Sequence, residues 1–315
     1  MHVFADFHAQ GLAHIDRPVV TIGTFDGVHL GHERVLEALI EHARVLHSRP
    51  GILTFRVHPR KVLTGTGPLW LTSVPYRLRL FQAAGVDFTT FIPFSRELSM
   101  LSPHEFVEQI LVGQLKVGGV VMGYDSCFGH KGSGTPELME QFGRDFGFTV
   151  AKVPRVECNL VTTKLSSSAI REFIAKGDLA KAAQLLSRPY TLLGTVVQDQ
   201  GRGAQLGFPT ANLAHDDVLL PHTGVYATQV FIGPQAGAPA DTPDGAIAAA
   251  LGNFTGPHPA VTNIGVRPTV APAHSGTPTP PTVESHLLDF SGDLYGRPIA
   301  VVFVERLREE RKFAG

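Results

Sequence analysis

The chain has 315 residues, 43% of them hydrophobic and 17% charged, which is enough for two domains that each bury a core of their own. A formal net charge of −1 gives no global electrostatic pull toward nucleic acid or an anionic membrane, so a charged substrate must be held locally. Cys127 and Cys158 are the only cysteines; they are too few for a disulfide framework and lack zinc-ligand spacing.

The N-terminus, Met1-His2-Val3-Phe4-Ala5-Asp6, has no basic region followed by an apolar one, and no apolar run approaches membrane-spanning length. A cytoplasmic protein with reduced thiols is expected.

The apolar run from Pro18 to Gly23 reads as a strand. It meets a turn, Thr24-Phe25-Asp26-Gly27-Val28-His29-Leu30-Gly31-His32, after which Val35, Leu36, Leu39, Ile40, Ala43 and Leu46 recur at helical spacing. A strand handing over to a helix N-terminus attracts phosphate, because backbone N–H groups and the positive end of the helix dipole point at an incoming anion. Gly27 and Gly31 let a bulky ligand approach the main chain. His29 and His32 can donate hydrogen bonds to a triphosphate without adding a competing nucleophile. With fifteen histidines in the chain, either one alone reads as a surface residue at a helix start; the joint pattern is the specific signal. P-loop and dinucleotide fingerprints are both absent.

A second strand, Gly51 to Phe55, runs into Arg56-Val57-His58-Pro59-Arg60. Strand alternating with helix predicts a parallel sheet, with ligands at the carboxyl ends of its strands. Leu71-Thr72-Ser73 opens a helix through Arg77, Leu80 and Phe81, and Val86 to Ile92 supplies a further strand. Ser102-Pro103-His104-Glu105 is a strong helix start, carrying Phe106, Ile110 and Leu111 behind it. These segments read as core and caps.

Val120-Val121-Met122 leads into a loop, Gly123 to Gly132, that holds Asp125 and Phe128. In Lys164-Leu165-Ser166-Ser167-Ser168-Ala169-Ile170-Arg171, hydroxyls at a helix start can cap it or donate to phosphate, and Arg171 adds a forked cation one turn on. Taken alone this is a serine-rich cap; paired with His-x-Gly-His upstream it becomes a second phosphate motif. A short helix, Leu179 to Leu186, then ends and strand-like segments with Gly/Pro turns take over, predicting an all-β second domain with the border near Ser187. The expected domains are 1–186 and 187–315.

In the second domain Gly194 to Val197 begins a strand, and Gly201, Gly203 and Gly207 can wrap backbone amides around phosphates. Thr210 and Asn212, two apart on an extended segment, point the same way and make plausible Mg²⁺ ligands. Stretches 233–260 and 270–281 are rich in Gly, Pro and Ala and read as variable surface loops. In Val283 to Phe290, alternation sets Glu284, His286 and Leu288 on one face and Val283, Ser285 and Leu287 on the other. A carboxylate looking into a barrel is costly unless it has a task or a partner. His286 reads as packing, and Val301 to Val304 as a final strand.

Five separated motifs carry a resemblance across nearly the whole chain: Gly23 to His32, Thr54-Phe55 with His58-Pro59, Ser167-Ser168-Ala169-Ile170-Arg171, Leu206-Gly207-Phe208-Pro209-Thr210-Ala211-Asn212, and the strand of Glu284. The first resembles the nucleotidyltransferase superfamily, and together, in this order, they resemble the bacterial bifunctional riboflavin kinase/FAD synthetase (FMN adenylyltransferase) family. The resemblance implies an N-terminal Rossmann-like nucleotidyltransferase domain, a parallel sheet with flanking helices, and a C-terminal antiparallel β-barrel riboflavin kinase domain.

It also implies the chemistry. The barrel would phosphorylate riboflavin to FMN, with ATP as co-substrate, Glu284 taking the proton of the 5′-hydroxyl and Mg²⁺ on Thr210 and Asn212. The first domain would adenylylate FMN to FAD with release of pyrophosphate, His29, His32, Ser168 and Arg171 stabilising charge on the α-phosphate. Gly23, Phe25, Gly31 and Ser167 join the first ATP site; Gly201, Gly203 and Gly207 serve the second; His58, Asp125 and Phe128 belong to the flavin and nucleotide loops. Riboflavin, FMN, FAD and ATP are the implied partners, with neither nucleic acid nor membrane.

The sequence departs from the family at Val57, where a proline is usual, at Ser126 and Cys127, where an aromatic and an arginine are usual, and at Asp199 and Ala204. The family also continues into another helix where this sequence ends, so a kinase domain without that helix is expected. These departures motivate an alternative, a catalytically impaired flavin-binding or sensing protein of the same fold. A class I aminoacyl-tRNA synthetase relative shares the His-Leu-Gly-His and Lys-Leu-Ser-Ser-Ser pair, but the kinase-like second half and the lack of a basic stretch argue against it.

Overall fold

The computed structural model describes residues 1–157, 165–198, 210–215, 217–235, 251–266 and 281–310. The chain divides into two compact units, Met1–Pro68 with Arg77–Asn159, and Leu69–Tyr76 with Leu160–Gly315.

The first unit is built on six strands, β1 (His2–Phe4), β2 (Val19–Ile22), β3 (Pro50–Thr54), β4 (Phe88–Phe91), β5 (Gly119–Gly123) and β6 (Thr149–Val153), in the order β1-β4-β3-β2-β5-β6. Every neighbouring pair is parallel. Strands β3, β4 and β5 are buried almost throughout, the near-continuous apolar run expected where helices cover both faces. Gly51 in β3 is required by packing, since a Cβ there would lie 2.0 Å from the Phe88 ring. The edge strand β1 is an element that the sequence reading lacked.

From β2 the chain winds outward through β3 to β4, then returns to lay β5 and β6 on the other side. The gap between β2 and β5 is thus the topological switch point, where ligands of open parallel sheets collect at the carboxyl ends.

The connecting helices are α1 (Leu30–Val45), α2 (Pro59–Thr64), α3 (Val74–Ala83), α4 (Arg96–Met100), α5 (Pro103–Phe106) and α6 (Pro136–Phe146). Helix α1 buries Val35, Leu36, Leu39 and Ala43, four of its six predicted core positions. Helix α5 starts on the predicted capping box, Ser102 with Glu105, and continues as a π-helix over Val107–Gln114 that buries Ile110 and Leu111.

Among the described residues the second unit holds α7 (Ser167–Ala175), α8 (Leu179–Leu186) and six strands, β7 (Thr191–Val197), β8 (Ala211–Ala214), β9 (Gly224–Ile232), β10 (Thr255–Gly265), β11 (Thr282–Leu287) and β12 (Pro298–Arg308). Helices α7 and α8 therefore cluster with the barrel, although the sequence texture changes only after them. The strands close into an antiparallel barrel in the order β10-β11-β8-β7-β12-β9. Strand β10 begins at Thr255, inside the stretch read as surface loop. Its glycine and prolines mask a strand held by pairing with β9 and β11, because propensity yields to tertiary partners.

Alternating burial along β9 and β11 marks one face as core and the other as surface. The interior face of β11 carries Val283, Ser285 and Leu287. Glu284 consequently lies on the outer, half-buried face and does not look into the barrel, as the sequence reading supposed. Period-2 alternation separates two faces but does not say which is inside.

The interior, mostly apolar among the described residues, holds a chain of hydroxyls. Thr262 Oγ1 lies 2.8 Å from both Thr228 Oγ1 and Ser285 Oγ, and Thr228 Oγ1 donates to the Ala260 carbonyl at 3.2 Å. All three residues are buried, so each hydroxyl depends on the others. Thr262→Val keeps the shape but cuts this chain at its middle, and is expected to destabilise the protein by about 1–3 kcal/mol, measured by urea denaturation.

Candidate functional site

Strand β2 ends at Ile22, and the reversal into α1 is made in a few residues with unusual backbone. Phe25, Gly27 and Val28 have φ of 49°, 83° and 42°. For a bulky and a β-branched residue such angles are true outliers, and they cluster where function holds strain in place. Phe25 is buried, its ring edge-on to Phe81 of α3 at 5.7 Å and tilted against His32 at 5.1 Å. Gly23 makes room for that ring, since a Cβ would lie 3.1 Å from it.

His29 is the N-cap of α1, its Nδ1 accepting from the His32 backbone N–H at 3.3 Å. That bond leaves the neutral ring's hydrogen on Nε2. The His29 and His32 rings stack 3.7 Å apart and 12° from parallel. The two histidines thus lie together at the start of α1, one imidazole capping the helix and the other stacked against it. Two stacked imidazoles at a helix N-terminus can turn N–H edges toward an anion that also feels the helix dipole.

The two glycines of the motif differ in what they do. Gly27 supplies a left-handed backbone, whereas Gly31 lies inside α1. Gly27→Ala is expected to cost about 1–2 kcal/mol in chemical denaturation, while Gly31→Ala leaves stability equal or higher, because alanine suits a helix better.

A group that the sequence reading set down as plain helix core lies beneath this turn. Arg77 of α3 has 0% exposure and donates from Nη1 to the Thr24 carbonyl at 2.6 Å and from Nη2 to the Phe55 carbonyl at 2.7 Å. Burial pushes its pKa down to about 10, opposed by the Asp26 carboxylate, so it stays charged at neutral pH. Thr54 Oγ1 adds a second donor to Thr24 O at 3.3 Å. A signal was available: Arg77 precedes the core residue Phe81 by four, so it shares that buried helix face.

His58 caps α2, accepting the Arg60 N–H on Nδ1 at 3.1 Å, with Pro59 at the first helical position. The guanidinium of Arg56 stacks 4.2 Å over Phe91, at the carboxyl ends of β3 and β4. Across the switch point, Asp125 and Cys127 are exposed in the loop after β5. Phe128 instead packs in the core against Phe106, and a Cβ on Gly134 would clash with its ring at 2.7 Å. It holds the loop down and turns no face outward. Beta-5 and this loop close on α1, where a Cβ at Gly123 would meet Val35, Asp125 and Ser126 within 3.8 Å.

In the second unit Ser166, rather than Ser167 or Ser168, caps α7, accepting from the Ala169 N–H at 3.3 Å. Arg171 donates from Nε to the Leu69 carbonyl at 2.8 Å. In the barrel, Glu284 lies directly opposite Asn212 of β8 and, on its other side, Asn263 of β10. Opposed residues share a face, so Asn212, Glu284 and Asn263 form a half-buried polar row on the outer surface. Asn263 joins the row through register between distant strands, which is not written in the sequence of either. Thr210 is half-buried at the start of β8. Gly201, Gly203 and Gly207, with Lys164 and Cys158, lie outside the described residues. No helix among the described residues is long and apolar enough to cross a membrane.

Comparison with known proteins divides the chain in two. Residues 13–169 match the family described as FAD synthetase, and residues 186–315 the one described as riboflavin kinase. The chain is 37% identical over 305 residues to the bifunctional riboflavin kinase/FMN adenylyltransferase of Pseudomonas fluorescens, covering 94% of this chain and 86% of that one. To the protein of the same description from Escherichia coli K12 it is 33% identical over 315 residues, covering 100% and 92%. A crystal structure described as a macrolide-efflux protein from Streptococcus pneumoniae is 26% identical with a TM-score of 0.78, covering 100% of this chain and 94% of that one.

Proposed function

This chain belongs to the bifunctional riboflavin kinase/FMN adenylyltransferase family, and from that premise we propose how its residues divide two successive ATP-dependent steps. The barrel phosphorylates riboflavin to FMN, and the sheet-based half transfers AMP from a second ATP to FMN, releasing pyrophosphate and giving FAD. One observation carries the division: each half is matched by its own family model, with the matched ranges meeting no common residue. Identity to such enzymes along the whole length supports an active catalyst over a flavin sensor.

In the kinase step Glu284 accepts the proton of the riboflavin 5′-hydroxyl as that oxygen attacks the γ-phosphorus, and the bond from the γ-phosphorus to the bridging oxygen of ADP breaks. An outer-face carboxylate, half-buried beside Asn212, supports this role, since it can reach substrate without crossing the core. Thr210 and Asn212 fit Mg²⁺: both are hard oxygen donors and neither is sealed in the interior. Held there, Mg²⁺ would neutralise charge on the ATP phosphates. Gly201, Gly203 and Gly207 are assigned to the ATP phosphates of this step.

In the adenylylation step an FMN phosphate oxygen attacks the α-phosphorus while the bond to pyrophosphate breaks. His29 and His32 donate to the oxygens on which charge builds; their stacking and the helix N-terminus beneath them support that role. Ser167, Ser168 and Arg171 are assigned to the same ATP, Gly23, Phe25 and Gly31 to its approach, and His58 and Asp125 to the flavin and nucleotide loops, with Phe128 anchoring the Asp125 loop from the core. The functional border lies near Ser187, and the protein acts on these small molecules in the cytoplasm, with neither nucleic acid nor membrane as partner.

Two variants test the division. His29→Ala is expected to cut FAD formation from supplied FMN by about a hundredfold with FMN formation intact, and Glu284→Gln to do the reverse; equal loss of both activities in either variant would sink the two-site reading. Asn212→Ala is expected to raise the Mg²⁺ concentration for half-maximal FMN formation by about tenfold, as removal of one ligand should, and a wild-type Mg²⁺ curve would contradict its assignment.

A further inference from the structure

Strands β2 and β3 carry separate loops toward the switch point. The first holds Phe25, His29 and His32; the second holds Arg56 and His58. Pairing along the two strands runs to Ile22 and Leu53, with Gly23 N–H donating to the Leu53 carbonyl at 3.0 Å. Beyond that bond the ladder stops.

Arg77 takes over where it stops. Its two terminal nitrogens bond Thr24 O and Phe55 O, the carbonyls immediately before Phe25 and Arg56. A guanidinium presents donors in a rigid planar fork, so one side chain fixes the separation of both carbonyls at once; a lysine is a point charge on a flexible stem and cannot. The group is sealed from water, where hydrogen bonds hold tightly and lost partners are costly. Asp26, 1% exposed in the first loop, supplies nearby compensating charge. A cation buried in this way is not needed for a helix that already packs Leu78 and Phe81 into the core.

We propose that Arg77 is a positioning residue for FMN adenylylation, clamping the His29/His32 turn and the His58 loop at the separation that the ATP phosphates require. This rests on the assignment of adenylylation to the sheet-based half. Arg77 touches no substrate; it acts through the two carbonyls. Its loss lets the loops part, so ATP must draw them together at the cost of binding energy.

The test is Arg77→Lys in the full-length protein, with KM for ATP and kcat measured for FAD formation from supplied FMN and, in the same preparation, for FMN formation from riboflavin. KM for ATP in adenylylation is expected to rise about tenfold or more, while KM for ATP in the kinase reaction stays within about twofold, the kinase serving as internal control. A residue that merely stabilised the fold would reduce the fraction of active molecules, lowering apparent kcat and leaving KM unchanged. An unaltered KM in Arg77→Lys, or equal shifts in both reactions, overturns the proposal. Should Arg77→Lys fail to fold, Thr54→Val removes the neighbouring donor to Thr24 O and is expected to raise the same KM about threefold; no change there also overturns it. Wild-type protein that makes FMN but no FAD overturns the assignment of the reaction itself, an outcome seen before any variant is compared.

Discussion

The first unit depends on a reversal that it makes under strain. To bring a helix N-terminus against the end of β2, the chain passes through left-handed backbone at Phe25, Gly27 and Val28; Gly27 takes it freely, whereas Phe25 and Val28 cost about 1–3 kcal/mol each. What offsets that cost surrounds the turn: the Phe25 ring on Phe81 and His32, and the Arg77 and Thr54 bonds to Thr24 O. The strain and its supports have one result. They fix the entry of α1 so that His29 both caps the helix and stacks on His32, and two imidazoles stand where the helix dipole favours an anion.

The barrel solves a different problem. A small closed barrel has no room inside for a substrate, and this one is packed with Tyr226, Val230, Ile264, Val283, Val301 and Phe303, pinned by the Thr228, Thr262 and Ser285 hydroxyls. On its outer surface, antiparallel register across β8, β11 and β10 sets Asn212, Glu284 and Asn263 side by side. In the proposed function the two phosphoryl-transfer sites rest on two separate devices, a helix terminus and a row across three strands.

Much of this was legible in the sequence where the controlling physics is local. The amphipathic stripe of α1, the Ser102 and Glu105 capping box and the strand alternation of β11 each depend on residues a few positions apart, and the structure has each of them. What the sequence hid is nonlocal. The burial of Arg77 depends on carbonyls 53 and 22 positions away. The inward face of β11 is decided by β8 and β10, so Glu284 turned out to face away from the core. Phe128 looks like a loop residue from its glycine neighbours, yet its ring fills the core beside Phe106. Strand β10 starts within a Gly/Pro stretch because its partners hold it.

One chain of this family performs two reactions in series. The most direct measurement is a time course of the purified protein with riboflavin, ATP and Mg²⁺, the flavins being separated by chromatography. A series of two reactions predicts that FMN appears first and FAD follows after a lag that supplied FMN abolishes. Riboflavin that binds but is recovered unchanged, with supplied FMN likewise unconverted, would contradict it.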